Sequence, residues 1–147
     1  MKNKQPQYFW NEETGQTVCH IYDNKGNVYI GEAICHPDDK NFQSKRIGQE
    51  IAYRRALIDF YRKLRKEELR PKLAAYKELY HEMILSPKFN PKSYENLSLQ
   101  RKIRKTTFDL AVVNDMINRE RIELNEYIEA KEKIHKKLQK LEEDKAI

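Results

Sequence analysis

Two Cys-His pairs, Cys19-His20 and Cys35-His36, supply four side chains of the types that ligate zinc. Their spacing works against it. Adjacent residues on a strand point to opposite faces, so neither pair converges on one ion, and structural zinc sites favour a Cys-x-x-Cys knuckle. The plainer reading is two packed thiols and two hairpin imidazoles. Glu32, Asp38, Asp39 and Lys40 set acids beside a lysine, as metal-dependent nucleases do. Here, however, the aspartates cluster in a turn containing Pro37, where they bend the chain and favour the start of the next helix. The chain has no Gly-rich phosphate loop and no G-x-S-x-G elbow. His20, His36, His81 and His135 have no nucleophile partner in evident register. No catalytic residue, metal or cofactor is expected, and the chain does not read as an enzyme.

The cationic residues are more informative. Arg54 and Arg55 lie within Ile51-Ala52-Tyr53-Arg54-Arg55-Ala56-Leu57, flanked by core-type positions. At most one of the two can point fully to solvent. A second cluster is Arg101-Lys102-Ile103-Arg104-Lys105. On a helix, Arg101, Arg104 and Lys105 share a face at i, i+3 and i+4, where like charges repel unless something anionic sits among them. Two readings stand: a solvated face with acids from a neighbouring helix, or phosphate binding by bidentate guanidinium contacts. Tyr76, Tyr80, Phe89, Asn90, Tyr94 and Asn96 gather around one Pro-rich loop. A ring can stack on a nucleobase and an amide can read its edge, while either can also plug the loop against its helices.

The elements that must position these residues follow from pattern. In 147 residues, 35% are charged and 39% hydrophobic, with a net charge of +6. Mean hydropathy is −0.95 and the pI about 9.2. That length suits one domain and is short for a doubly wound sheet or a barrel enzyme. Fifteen aromatics argue against disorder. Residues 1–44 carry four basic and six acidic residues, 45–72 ten and four, and 73–147 fifteen and thirteen, so the surplus falls on 45–72. No apolar run approaches a membrane span, and no hydrophobic region follows Met1 to Pro6. Cys19 and Cys35 are therefore expected as thiols in a reducing cytoplasm.

The spacing predicts an α+β chain. A hairpin covers 17–36, with turn residues Asp23 to Asn27 and Gly26 free to take positive φ. A short strand at Tyr8-Phe9-Trp10 adds to it, with Gly15 in the turn. The N-terminal sheet occupies 1–42 and a basic helical segment 43–86, with Ser44 as N-cap. Apolar residues recur at Ile47, Ile51, Leu57, Ile58, Tyr61, Leu64 and Leu69. Pro71 either kinks this helix or starts a second one. A loop takes 87–92, and a long helix 93–147, free of Pro and Gly. Its heptads give Ile103, Leu110, Ile117, Leu124, Lys131 and Leu138 at a, and Thr106, Val113, Glu120, Tyr127, Ile134 and Leu141 at d, nine of them apolar. Unbroken, it would run about 75 Å. It is expected to fold back as an antiparallel hairpin or pair with another copy. Lys131 and Glu120 should weaken the seam, and the tail beyond Lys137 should fray.

Ser44-Lys45-Arg46, opening a helix after a hairpin, resembles the second half of a double-stranded RNA-binding domain over about a third of the chain, without that family's Lys-Lys-x-Ala-Lys pattern. A second resemblance is carried by Gly31-Glu32-Ala33-Ile34-Cys35-His36-Pro37-Asp38-Asp39 and by Gly48-Gln49-Glu50-Ile51-Ala52-Tyr53-Arg54-Arg55-Ala56. These segments, and a sheet followed by long helices, look like the phage Thoeris anti-defence sponges. That resemblance implies sequestration, in the bacterial host cytoplasm, of a cyclic ADP-ribose isomer, or of cyclic di- and trinucleotides, by dimers or hexamers. It implies a pocket lined by Arg55, Tyr80 and Asn90, with Phe89 as the other stacking candidate and Arg54 and Asn96 beside them. It also implies a second anion site at Arg101, Arg104 and Lys105. The competing readings are a nucleic-acid-binding protein using helix 45–72 and a coiled-coil inhibitor of another protein.

Overall fold

A computed structural model describes residues 5–34 and 42–145, with side chains at 42 and 43 excluded. Three strands, β1 (Gln7–Asn11), β2 (Gln16–Tyr22) and β3 (Val28–Ile34), form an antiparallel sheet in the order β1-β2-β3. Helix α1 covers Phe42–Lys63, α2 Arg70–Leu85 and α3 Tyr94–Lys145. The α+β class and the extra first strand are as the sequence predicts. Cys35 and His36, expected at the hairpin's end, lie outside the described residues, as do Asp38, Asp39 and Lys40. The chain divides into two compact units: Met1–Phe60 with Asn118–Ile147, and Tyr61–Ile117.

In the first unit the hairpin turns are set by side chains that imitate a turn's own hydrogen bonds. Asp23 Oδ1 accepts the Lys25 and Asn27 N–H groups, both at 2.9 Å, and Gly26 takes φ +83°. Asn11 Oδ1 accepts the Glu13 N–H at 2.9 Å before Gly15, at φ +70°. Strand alternation places Thr17, Cys19, Ile21, Tyr29, Gly31 and Ala33 on the buried face. Helix α1 meets that face at Ala52, Ala56 and Phe60, and also buries Ile47, Ile51, Leu57 and Ile58. The approach is closest at Gly31, where an added Cβ would overlap the Ala52 carbonyl oxygen and lie 2.5 Å from Ala56 N. Only glycine opposite two alanines permits a strand and a helix backbone to meet so closely. Tyr29 and Phe60 meet edge-on at 5.0 Å.

Helix α1 starts two residues before the predicted N-cap, because Phe42 and Gln43 already take helical backbone and Ser44 is a buried residue inside it. At its far end, Pro71 opens a second helix, as one of the two sequence readings has it, and a widened turn precedes it. Residues Leu64–Leu69 form a π-helical turn, with the Arg70 N–H donating to the carbonyl five residues back, at Arg65. Pro71 then sits in the first turn of α2. Proline lacks the N–H for residue 67 and crowds its carbonyl, and a widened turn accommodates both.

The second unit is an antiparallel helical hairpin. Arg65 Nη1 donates to Asn114 Oδ1 at 2.8 Å, and the Lys102 ammonium lies 5.9 Å from the Tyr76 ring. Helix α2 presents Leu73, Tyr76, Tyr80 and Met83 as its more buried stripe. Ser93 caps helix α3, its Oγ accepting the Asn96 N–H at 3.2 Å. Its predicted seam is its covered face: of the twelve positions only Leu141 is exposed. The two charged seam residues are ties rather than weak points. Within the first unit, Glu120 pairs with Arg54, and Lys131 Nζ donates to the Ile34 carbonyl at 2.6 Å. The helix runs through Lys145, so the tail beyond Lys137 keeps helical backbone.

Candidate functional site

The candidate residues separate between the two units. Arg54 and Arg55 belong to the first, and Tyr80, Phe89, Asn90, Asn96, Arg101, Arg104 and Lys105 to the second.

Arg54 lies in a carboxylate cage. Its guanidinium reaches Glu120 at 3.0 Å, Glu123 at 3.1 Å and Glu50 at 3.4 Å, and lies 5.3 Å from the Tyr53 ring. Burial lowers the Arg54 pKa, but hydrogen bonding to Glu120 and the charges of Glu120, Glu123 and Glu50 raise it on balance. This arginine is a structural ion-pair centre. Arg55 is exposed and donates from Nη1 to the Glu32 carbonyl at 2.7 Å. With Lys131 on the Ile34 carbonyl, it caps two outward acceptors of edge strand β3, which blunts that edge against strand addition. Beside this region Arg46, Ile47, Glu50 and Tyr127 line an open groove of about 240 Å³.

The cysteine and histidine of β2 separate as alternation requires. Cys19 is fully buried, and burial pushes its thiol up to about 11 despite a hydrogen bond with Tyr8 that acts the other way. Desolvation likewise pushes the Tyr8 hydroxyl up to about 12. His20, on the opposite face, packs at a tilt against Phe9 with ring centroids 4.9 Å apart. Among the described residues no group of three or more His, Cys, Asp or Glu is arranged to hold a metal ion.

In the second unit the loop between α2 and α3 is built by short-range bonds. The Phe89 N–H donates to the Ser86 carbonyl at 3.1 Å, and Asn90 Oδ1 accepts the Lys92 N–H at 3.0 Å. Phe89 is half-buried and Asn90 exposed. Asn96 is 1% exposed and donates from Nδ2 to the Pro91 carbonyl at 2.7 Å. It locks the loop onto α3, a job the sequence did not distinguish from ligand contact. Tyr80 is half-buried on α2, while Arg101, Arg104 and Lys105 are exposed on α3. One grouping went unread in the sequence. Lys72, one turn before Tyr76, lies 6.0 Å from its ring, and Lys102 of α3 lies 5.9 Å from it. The i, i+4 spacing of Lys72 and Tyr76 was visible, but Lys102 joins them only through the hairpin.

The division also reorganises the charge. Tyr61–Ile117 holds thirteen basic and seven acidic residues, a surplus of six. The remaining residues hold sixteen of each sign, so the whole net charge of +6 belongs to the helical hairpin. The segment 45–72, read as the positive one, is cut in two by this boundary.

Comparison with known protein families, with curated proteins and with solved structures finds no match to this chain. No helix among the described residues is long and apolar enough to cross a membrane.

Proposed function

We propose that this chain is a non-catalytic sequestering protein that holds a cyclic nucleotide immune signal, a cyclic ADP-ribose isomer or a cyclic oligonucleotide, in the manner of the Thoeris anti-defence sponges. One observation carries the proposal: the unit with the whole positive surplus also holds seven of the nine candidate residues. The site is assigned to that unit alone. Tyr80 or Phe89 stacks on the base and Asn90 reads a polar edge, while Arg101, Arg104 and Lys105 form a second site that grips phosphates. Asn96 positions the loop from behind, and Lys72 and Lys102 raise the local potential beside Tyr76. Sequestration requires affinity and no bond-making, so it asks for no nucleophile and no metal. The protein acts in the host cytoplasm as a homo-oligomer, a dimer or a hexamer.

Two measurements on the purified protein test this. Mass spectrometry of heat-released small molecules should detect a cyclic nucleotide. Calorimetry with cyclic ADP-ribose isomers and cyclic oligonucleotides should give saturable binding that Arg101→Gln with Arg104→Gln weakens. No release and no heat with any of these ligands would overturn the proposal. Light scattering after size exclusion tests the oligomer separately, and a clean monomer would remove that part of the reading.

A further inference from the structure

The face of α3 turned away from its seam carries two exposed rings that the cyclic-nucleotide reading does not use. At 100° per residue, Tyr94, Leu97, Arg101, Arg104, Lys105, Phe108 and Val112 fall within a stripe about 100° wide, opposite Leu99, Ile103, Thr106 and Leu110 of the seam. Burial agrees: Leu99 and Thr106 are buried, while all seven stripe residues are exposed. Two rings stand well into solvent, Tyr94 at 79% and Phe108 at 67% exposure. Three cations lie between them, and the acids of this stretch, Glu95 and Asp109, fall outside the stripe. All of these residues belong to the unit that carries the surplus of six positive charges.

A merely solvated helix face has no use for two exposed rings, and leaving them in water forgoes their burial. Cations flanked by a ring at each end along one line match a single nucleic-acid strand. Unpaired bases stack on the rings without sequence preference, and the phosphates between them meet the cations. Tyr94 and Phe108 are fourteen residues apart, about 21 Å along a helix, which a few nucleotides of extended strand can span. A closed duplex offers phosphates but no free base faces.

We propose that the outward face of α3, from Tyr94 to Val112, binds single-stranded nucleic acid without sequence specificity. Arg101, Arg104 and Lys105 contact phosphates, and Tyr94 and Phe108 stack on bases. The inference goes beyond the cyclic-nucleotide reading and stands on the two rings which that reading leaves out.

Fluorescence anisotropy of the full chain with a labelled oligo-thymidine strand tests it. Three phosphate contacts predict a slope of about −2 for log affinity against log salt, roughly a twentyfold loss between about 50 and 200 mM. Arg101→Gln with Arg104→Gln and Lys105→Gln should flatten that slope. Tyr94→Ala and Phe108→Ala should each weaken binding roughly five- to a hundredfold, whereas Tyr94→Phe and Phe108→Tyr, which keep the ring, should retain it. Because these side chains are exposed, the variants should keep wild-type circular dichroism. The double ring variant should also keep any affinity for cyclic nucleotides, which separates failure of this inference from failure of the proposed function. A matched duplex should bind more weakly than the single strand.

No binding at low salt would overturn the inference. So would ring variants of unchanged affinity, a duplex bound as tightly as the single strand, or a preference for anionic lipid vesicles over the oligonucleotide. Concentration-dependent self-association that Phe108→Ala abolishes would overturn it as well, by giving the ring to a second copy.

Discussion

Replacing Gly31 by alanine should be the most damaging single-methyl change in the first unit. The added Cβ would overlap the Ala52 carbonyl oxygen and lie 2.5 Å from Ala56 N, where ordinary contact begins at 3.4 Å. Both obstacles are backbone atoms, so no rotamer change can relieve them. Strand β3 and helix α1 must separate by about 1 Å. A gap of that size forfeits up to half of each dispersion contact across the interface, where Tyr29 and Gly31 meet Phe60, Ala52 and Ala56. Overpacking typically costs 1–3 kcal/mol, and a rigid backbone obstacle places Gly31→Ala at or above the top of that range, about 3 kcal/mol. Gly26→Ala is the matched control. Its φ of +83° is strained for alanine, yet nothing lies within 4 Å of the new Cβ, so about 1–2 kcal/mol is expected. Trp10, the single tryptophan, lies on β1 and reports on this unit. Urea unfolding followed by its fluorescence should show a clearly lower midpoint for Gly31→Ala than for Gly26→Ala. Equal midpoints, or a Gly31→Ala protein within about 0.5 kcal/mol of wild type, would refute the close helix–strand approach.

Arg54→Met should destabilise by about 2 kcal/mol, because Glu120 and Glu50 keep their charges without their cation. Arg54→Lys should recover part of the loss in thermal unfolding, since lysine restores the charge but not the fork. Asn96→Ala should cost about 1–2 kcal/mol by stranding the Pro91 carbonyl, and faster amide exchange at residues 89–93 is the readout. Tyr8 and Cys19, pushed up to about 12 and 11, stay neutral in the folded chain above their ordinary 10.0 and 9.0. Their contribution is therefore complete below about pH 9 and lost as pH rises through 11 and 12, so alkaline melting should begin near pH 9 and shift upward in Tyr8→Phe. In a Cys35→Ser background, Cys19 should react with a thiol reagent at pH 8 only as fast as the unit opens. At Asp23, desolvation raises the carboxyl, but hydrogen bonds from Asn27, Tyr29 and Lys25 outweigh it and leave the pKa lowered. That stabilisation is present above the ordinary carboxylate range and lost as pH falls through the depressed value, so NMR titration should place Asp23 below 3.8.

Local order was legible because it rests on local chemistry. Alternation marked β2 and β3, Asp23 and Gly26 marked their turn, and the heptads of α3 marked the face that tertiary packing covers. Chain-local signals also marked the candidate residues by type: rings and amides near a Pro-rich loop, and arginines at helical spacing. Their partners were not legible, because a pairing across tens of residues leaves no mark in either segment. Arg54 and Arg55 looked alike as neighbours, yet one fills a carboxylate cage 66 residues away and the other caps a strand edge. Gly31 read as an ordinary strand residue until a helix backbone lay against it. Glu120 and Lys131 read as flaws in a seam until Arg54 and the Ile34 carbonyl met them.

The amino-acid sequence by itself determined where strands, turns and helices form and which face of each is apolar, because propensity and periodicity act within a few residues. Only the tertiary structure decided which charges are neutralised. Folding groups the chain into a unit with sixteen residues of each sign and a helical hairpin with thirteen basic against seven acidic. The positive surplus therefore belongs to that hairpin rather than to the first helix. Electrostatic attraction depends on distance in space, and distance along the chain does not report it.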